Sequence, residues 1–251
     1  LETVIGTTPA RLAVVWVKIP HLPPAGLTLY LYYGNAKASS ISSGKAVFDF
    51  FDQFDGSALD ANAWEHRAGQ GSVRVADSRL HLTAGSVLTK TFQLGDGIVE
   101  YVATTDTAQD DARLIIRSDP KAAHPDETNQ VAYASANGGA EHVLAAGSIV
   151  QANDPKPITP QTPYGYQVVV LDTQLMFQRY DEEFATTQAT IMFDDVGGLT
   201  RGLLGLHSEG SASYDWIRVR QLAIPPPEVA EATAPAPEET ANLPVFTNTK
   251  V

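Results

Sequence analysis

The chain has 251 residues, 43% of them hydrophobic, enough for one sizeable core and a smaller appended piece. Its formal charge of −12 disfavours a nucleic-acid partner, because an acidic surface repels phosphate backbones. There is no cysteine, which excludes disulfides, thiolate zinc sites and cysteine nucleophiles, and no apolar run approaches the ~18 residues of a membrane-crossing helix.

In chain order, the pattern predicts short strands punctuated by Gly, Asp, Asn and Pro. LAVVWVKI (Leu12–Ile19) has the continuous apolar character of a buried strand, and LTLYLYYG (Leu27–Gly34) alternates before stopping at Gly34-Asn35. Further strands are predicted at Ser72–Ala76, Arg79–Thr83, Ser86–Leu94, Gly97–Thr105, Ala112–Ser118 and Gln130–Ala136. The series continues with Glu141–Ala146, Tyr164–Asp172, Thr173–Tyr180, Gln188–Phe193, Leu203–Ser208 and Ser213–Leu222. Only Ala36–Ser43 and Ala58–Trp64 have the character of short helical turns, and Asp154–Pro163, with prolines at 155, 157, 160 and 163, predicts a stiff loop. Many short strands with regular turn signals imply an all-β sandwich, barrel or jelly roll. From Pro225 the composition shifts to Pro, Ala, Glu and Thr, which predicts a disordered linker in which Leu243–Phe246 is a small apolar cluster suited to docking. The chain begins at Leu1 with no basic segment ahead of an apolar one, so a mature or trimmed piece of a longer protein is expected.

Motifs for catalysis are missing. The six histidines (His21, His66, His81, His124, His142 and His207) form no metal-binding spacing, and no nucleophile elbow, P-loop or dinucleotide fingerprint is present. His81 and His207 are expected as half-exposed sheet residues. The acidic pairs Asp110-Asp111 and Asp194-Asp195, like Asp181-Glu182-Glu183, have the character of solvated turns. Sugar binding instead requires an aromatic platform beside planar polar side chains. The candidates on turns or sheet faces are Trp64, Tyr133, Tyr164, Tyr166 and Tyr180, with Arg113, Arg117, Gln130 and Arg179. The set expected to line a groove is Arg113, Arg117, Gln130, Tyr133, Gln178 and Tyr180, with Trp64 a core plug after LDANA.

Two longer signatures carry a family resemblance. WVKIPHLPPAGLTLYLYYGN (residues 16–35), followed by AKASSISSG and VFDFFDQF, resembles the C-terminal half of the domain-of-unknown-function family numbered 2341. FFDQFDGSALDANAW (residues 50–64) and SYDWIRVRQ (residues 213–221) resemble the first and last strands of concanavalin A-like lectin/glucanase jelly rolls of the LamG-like kind. The resemblance implies an all-β concanavalin A-like jelly-roll sandwich at 47–224, a partial N-terminal β-segment at 1–46 and the linker at 225–251. It also implies that the first and last jelly-roll strands pair. Hydrolases of this fold carry E-x-D-x-x-E on one strand. Glu100-Tyr101-Val102 has valine where the aspartate should be, so catalysis is not expected. A structural Ca²⁺ held by Asp52, Asp55, the Gly56 carbonyl and Asp215 is implied by analogy, with Asp49 left facing solvent. The resemblance further implies an extracytoplasmic binding or adhesion module of an envelope protein, its partner a glycan, another envelope protein, an ExbB/TolQ-type membrane channel or a second copy. The alternatives are a structural subunit completed by strand exchange and, behind it, a glycoside hydrolase.

Overall fold

The structure, a computed structural model, describes residues 2–5, 12–30, 35, 37, 39–67, 71–121, 131–136, 141–146, 149–194 and 198–224. The linker expected from Pro225 and its Leu243–Phe246 cluster lie outside the described residues. Two compact units are present, one of residues 1–49 and 223–251 and the other of residues 50–222.

In the first unit, β1 (Glu2–Ile5) and β2 (Leu12–Val15) form an antiparallel pair with Glu2 opposite Val15 and Ile5 opposite Leu12. The strand expected over Leu27–Gly34 is not formed across residues 27–30, and residues 31–34 lie outside the described residues. A single helical turn, α1 (Gly44–Val47), begins where the Ser43 hydroxyl accepts the Ala46 N–H. That capping bond places the turn after Ser43, whereas residues 39–43 of the expected Ala36–Ser43 turn are not helical and residues 36 and 38 lie outside the described residues. Trp16 packs on Phe48 with ring centroids 5.7 Å apart, and exposed Asp49 pairs with Lys18 at 3.4 Å.

The second unit is built from strands. They are β3 (Phe50–Asp52), β4 (Trp64–His66), β5 (Ser72–Ala76), β6 (Arg79–Leu94), β7 (Gly97–Thr105), β8 (Arg113–Ser118) and β9 (Val131–Ala136). Then come β10 (Glu141–Ala146), β11 (Ile149–Asp154), β12 (Tyr164–Leu171), β13 (Gln174–Asp181), β14 (Thr187–Asp194) and β15 (Gly202–Arg220). The strands follow the order β11-β10-β9-β8-β15-β7-β12-β13-β14, with β3, β4, β5 and β6 joined through β6 and β15. The two ends of that path, β11 and β14, lie against each other. The first strand, β3, pairs with the last, β15, with Asp52 opposite Ile217.

β15 organises the unit. One side pairs with β6 and then β3, the other with β8 and then β7. The sequence predicts two strands here, Leu203–Ser208 and Ser213–Leu222. The structure bridges the segment between them as a bulge. Asp111 Oδ1 accepts the Glu209 N–H at 2.8 Å, and Asp110 Oδ1 accepts the Ser211 N–H at 2.9 Å. A Cβ at Gly210 would lie 2.0 Å from Asp110 Oδ1, so only glycine lets the carboxylate approach. Asp110 and Asp111 are thus buried clasps for the bulge, not a solvated turn. Arg79–Thr83 and Ser86–Leu94 likewise join into one strand, β6.

The core is aromatic and aliphatic. Tyr101 stacks on Tyr166 at 5.0 Å, next to Tyr214 and Phe177. Tyr164 and Tyr166, taken from sequence as platform candidates, are buried here, and Arg179 lies under the Tyr164 ring at 4.8 Å and donates to the Pro157 carbonyl. Trp64 is the expected core plug, and its indole N–H donates to Asp52 Oδ2 at 2.7 Å. His81 is partly buried as expected, whereas His207 is buried.

Candidate functional site

The site follows from strand alternation. Val99, Tyr101 and Ala103 of β7 point into the core, as do Tyr166, Val168 and Val170 of β12 and Leu175 and Phe177 of β13. Successive side chains on a strand point to opposite faces, so the residues between them form the face turned away from the core. Across β15, β7, β12, β13 and β14 the register aligns that outer face into three parallel rows.

The middle row is polar. Arg218 stands opposite Glu100, Glu100 opposite Gln167, Gln167 opposite Gln178 and Gln178 opposite Thr190. Hydrogen bonds run along it. Gln167 Nε2 donates to Glu100 Oε1 at 2.8 Å, Gln178 Nε2 to Thr190 Oγ1 at 3.4 Å, and the Tyr180 hydroxyl to Gln178 Oε1 at 2.9 Å. On one side lies an apolar row, Ile98, Val169, Met176 and Met192, which starts at Arg220 on β15 and ends with Met192 66% exposed. On the other side lies Trp216, Val102, Gly165 and Tyr180. The β13–β14 turn places Phe184 over Gly165, where a Cβ would meet the ring at 2.6 Å. Phe184 is 5.4 Å from Tyr180 and 5.7 Å from Trp216, so the three rings form one continuous wall.

Glu100 anchors the row and is only 3% exposed. Arg218 Nε donates to its Oε2 at 2.6 Å and Arg220 Nη2 to its Oε1 at 3.2 Å. Burial alone would raise the Glu100 pKa, but Arg218 and then Arg220 outweigh it, so the carboxyl lies below its ordinary value and stays ionised. Arg218 also lies over the Trp216 ring at 4.6 Å, which locks the guanidinium in place. A carboxylate held this way accepts hydrogen bonds but has no proton to give near neutral pH.

Of the groove set expected from sequence, Gln178 and Tyr180 lie together on this face. Arg113 does not join them. Its guanidinium is closed between Asp111 and Glu209, both at 2.6 Å. Arg117 is buried at a positive φ of 56° and donates to the carbonyls of Asp172, Leu199 and Gly95 and to Asp96, so it ties loops together and lines no groove. Gln130 lies outside the described residues. Tyr133 pairs in register with Leu114, and its side chain lies outside the described residues. Sequence reasoning missed Gln167, Thr190, Met176, Met192, Phe184 and Trp216. The period-two spacing of Gln178 and Tyr180 was visible, but which strand lies beside which was not.

The donor set proposed for Ca²⁺ does not fit that ion. Asp52 accepts the Phe54 N–H with one oxygen and the Trp64 indole with the other, Asp55 accepts from the Gln53 amide, and Asp215 faces Arg79 at 3.9 Å. Among the described residues, no group of three or more His, Asp or Glu side chains is placed to hold a metal. Asp215 is displaced by the bulge between Tyr214 and Trp216, which turns it toward Arg79 and Glu182.

The model of the domain of unknown function DUF2341 matches residues 6–67. Among curated proteins, none matches the chain. Solved structures of similar fold include the following three. Laminarinase from Flavobacterium sp. UMI-01 is 12% identical with a TM-score of 0.53, covering 69% of this chain and 100% of its own. The Bacillus licheniformis β-glucanase is 9% identical with a TM-score of 0.52, covering 69% and 98%. A β-1,3-1,4-glucanase from a mouse hindgut metagenome is 12% identical with a TM-score of 0.51, covering 69% and 99%. The fold is a concanavalin A-like jelly-roll sandwich.

Proposed function

We propose that the protein is a non-catalytic glycan-binding module whose site is the part of this outer face on β12, β13 and β14, beside the buried residues Ile98, Glu100 and Val102 of β7 and Arg218 of β15. The observation that carries this is the juxtaposition of the amide row Gln167–Gln178 with the apolar row Val169–Met176–Met192. A sugar ring offers C–H groups on its faces and hydroxyls on its edges, and the two rows match that division. The names of the three structures cited above, a laminarinase and two β-glucanases, support the ligand class. The arginine-clamped Glu100, with Val102 two residues on, supports binding without hydrolysis, since glycoside cleavage uses a pair of carboxyls, one of which must donate a proton. Display outside the cytoplasm, on the cell envelope, is part of the same proposal. Affinity electrophoresis through gels cast with neutral polysaccharides tests it. Retardation relieved by Gln178→Ala supports the proposal, and unretarded migration in every gel contradicts it.

A second reading, a structural subunit joined to a neighbour, is favoured by one observation. Val17, Leu22, Leu27, Leu29 and Tyr30 in the first unit are exposed apolar side chains. Light scattering across a concentration series separates the two readings, because a strand-exchanged assembly grows with concentration and a monomeric binding module does not.

A further inference from the structure

We propose that Met192, with Met176 beside it, is a reversible oxidation site through which peroxides turn the apolar row of the outer face polar. The modification itself is independent of what the face binds. Its effect on binding rests on the glycan-binding reading.

All the sulfur of the chain lies in one place. The 251 residues include no cysteine and two methionines. Those two stand directly opposite each other on neighbouring strands, Met176 on β13 and Met192 on β14. Opposite residues of an antiparallel pair share a face with their Cβ atoms ~4.5–5.5 Å apart, so the two thioether side chains are neighbours. Leu175 and Phe177 on β13 and Ile191 on β14 belong to the core, which turns both methionines outward by strand alternation.

The two differ in access. Met192 is 66% exposed on the last strand of the sheet path, whereas Met176 is half-buried between Val169 and Met192. Oxidation of a thioether follows exposure, because the oxidant must reach a sulfur lone pair. That lone pair attacks one peroxide oxygen and the O–O bond breaks. The transferred oxygen gives its proton to the departing hydroxide, so one sulfoxide and one water result. No thiol in the chain competes for the oxidant, and Met192 is its first sulfur target.

The consequence follows from the row. A sulfoxide is polar and its oxygen accepts hydrogen bonds, so oxidation of Met192 removes the exposed end of Ile98–Val169–Met176–Met192. Ile98 is buried and Val169 and Met176 are half-buried, so that end is most of the apolar surface the row offers. The added oxygen enters solvent and displaces no core atom. Methionine sulfoxide reductases return the thioether at the expense of a thiol, which makes the change reversible.

The test treats the full chain with hydrogen peroxide at neutral pH, maps both methionines by peptide mass spectrometry and runs the products on a phenyl column. Met192 should gain oxygen at least about fivefold faster than Met176. The singly oxidised chain should elute earlier with an unchanged melting midpoint, and reductase with dithiothreitol should restore the elution. Met192→Leu, which keeps volume and apolarity, should not shift at the dose that adds one oxygen to the native chain. That dose should also release the native chain from a polysaccharide gel that retards it, and leave Met192→Leu retarded. Equal rates at the two methionines, a shift that Met192→Leu shares, or a sulfoxide that the reductase does not remove overturns the proposal. Retardation that survives oxidation of Met192 overturns it too and leaves the glycan-binding reading standing. A native chain that no gel retards contradicts the glycan-binding reading alone, and the mass and column readings then decide the oxidation site.

Discussion

Glu100→Gln isolates the clamp at the centre of the outer face. The carboxylate accepts from Arg218 at 2.6 Å, Arg220 at 3.2 Å and Gln167 at 2.8 Å, and the Arg218 side chain is 9% exposed. The amide has nearly the same shape but turns an NH₂ toward one of these donors and leaves Arg218 without its counter-charge. Removing one partner of a buried pair costs ~3–5 kcal/mol. Arg220 reaches more water and the amide oxygen still accepts, so the expected loss lies at the lower end, ~3 kcal/mol, or about 6–12 °C in melting midpoint for a unit of this size. The pH dependence has a definite sign. The folded pKa of Glu100 is lowered, so its stabilisation is fully present above the unfolded value of ~4.3 and is lost as pH falls through the folded value. Urea melts of both proteins at pH 7 and at pH 3 are the assay. The deficit should be near full size at pH 7 and smaller at pH 3. A deficit below ~0.5 kcal/mol at pH 7, or one that grows on acidification, would refute the clamp.

Three further outcomes are expected. Gly165→Ala drives a methyl into the Phe184 ring at 2.6 Å and the Asp181 carbonyl at 2.8 Å, so it should cost ~1–3 kcal/mol and change the tryptophan fluorescence as Phe184 leaves Trp216. Glu182 is exposed, and its pKa is raised by partial desolvation and by Glu183 and Asp215 against the pull of Arg79, so its charge opposes folding weakly above the folded pKa and not below the unfolded one. Glu182→Gln should therefore raise the melting midpoint at pH 7 and leave it unchanged at pH 3. Addition of a calcium chelator should leave the midpoint of the intact chain unmoved, because Asp52 already holds Trp64 and Phe54; a lower midpoint would reinstate a metal.

Much of the fold was legible because each strand carries its own period. Ser72–Ala76 and Gly97–Thr105 have the same bounds in the sequence and in the structure. Failures came where pairing, not local pattern, decides. β3 and β4 are three residues each and exist through β15 and β6. β15 reads as two strands until Asp110 and Asp111 reach across to hold its bulge. The site shows the same limit. Gln178 and Tyr180 share a strand and were visible together, but Gln167 and Thr190 reach them only through the register with β12 and β14. The arginines misled because charge suggests a ligand, whereas Arg117 closes on backbone carbonyls and Arg113 on Asp111 and Glu209.

Binding without cleavage on the outer face is tested most directly by incubating the intact chain with the neutral polysaccharide that retains it and measuring bound protein and new reducing ends in the same sample. Saturable retention, lost in Gln178→Ala and with no reducing ends above the protein-free control, is the expected result. Reducing ends that accumulate with time and vanish in Glu100→Gln, or retention unaffected by Gln178→Ala, would contradict it.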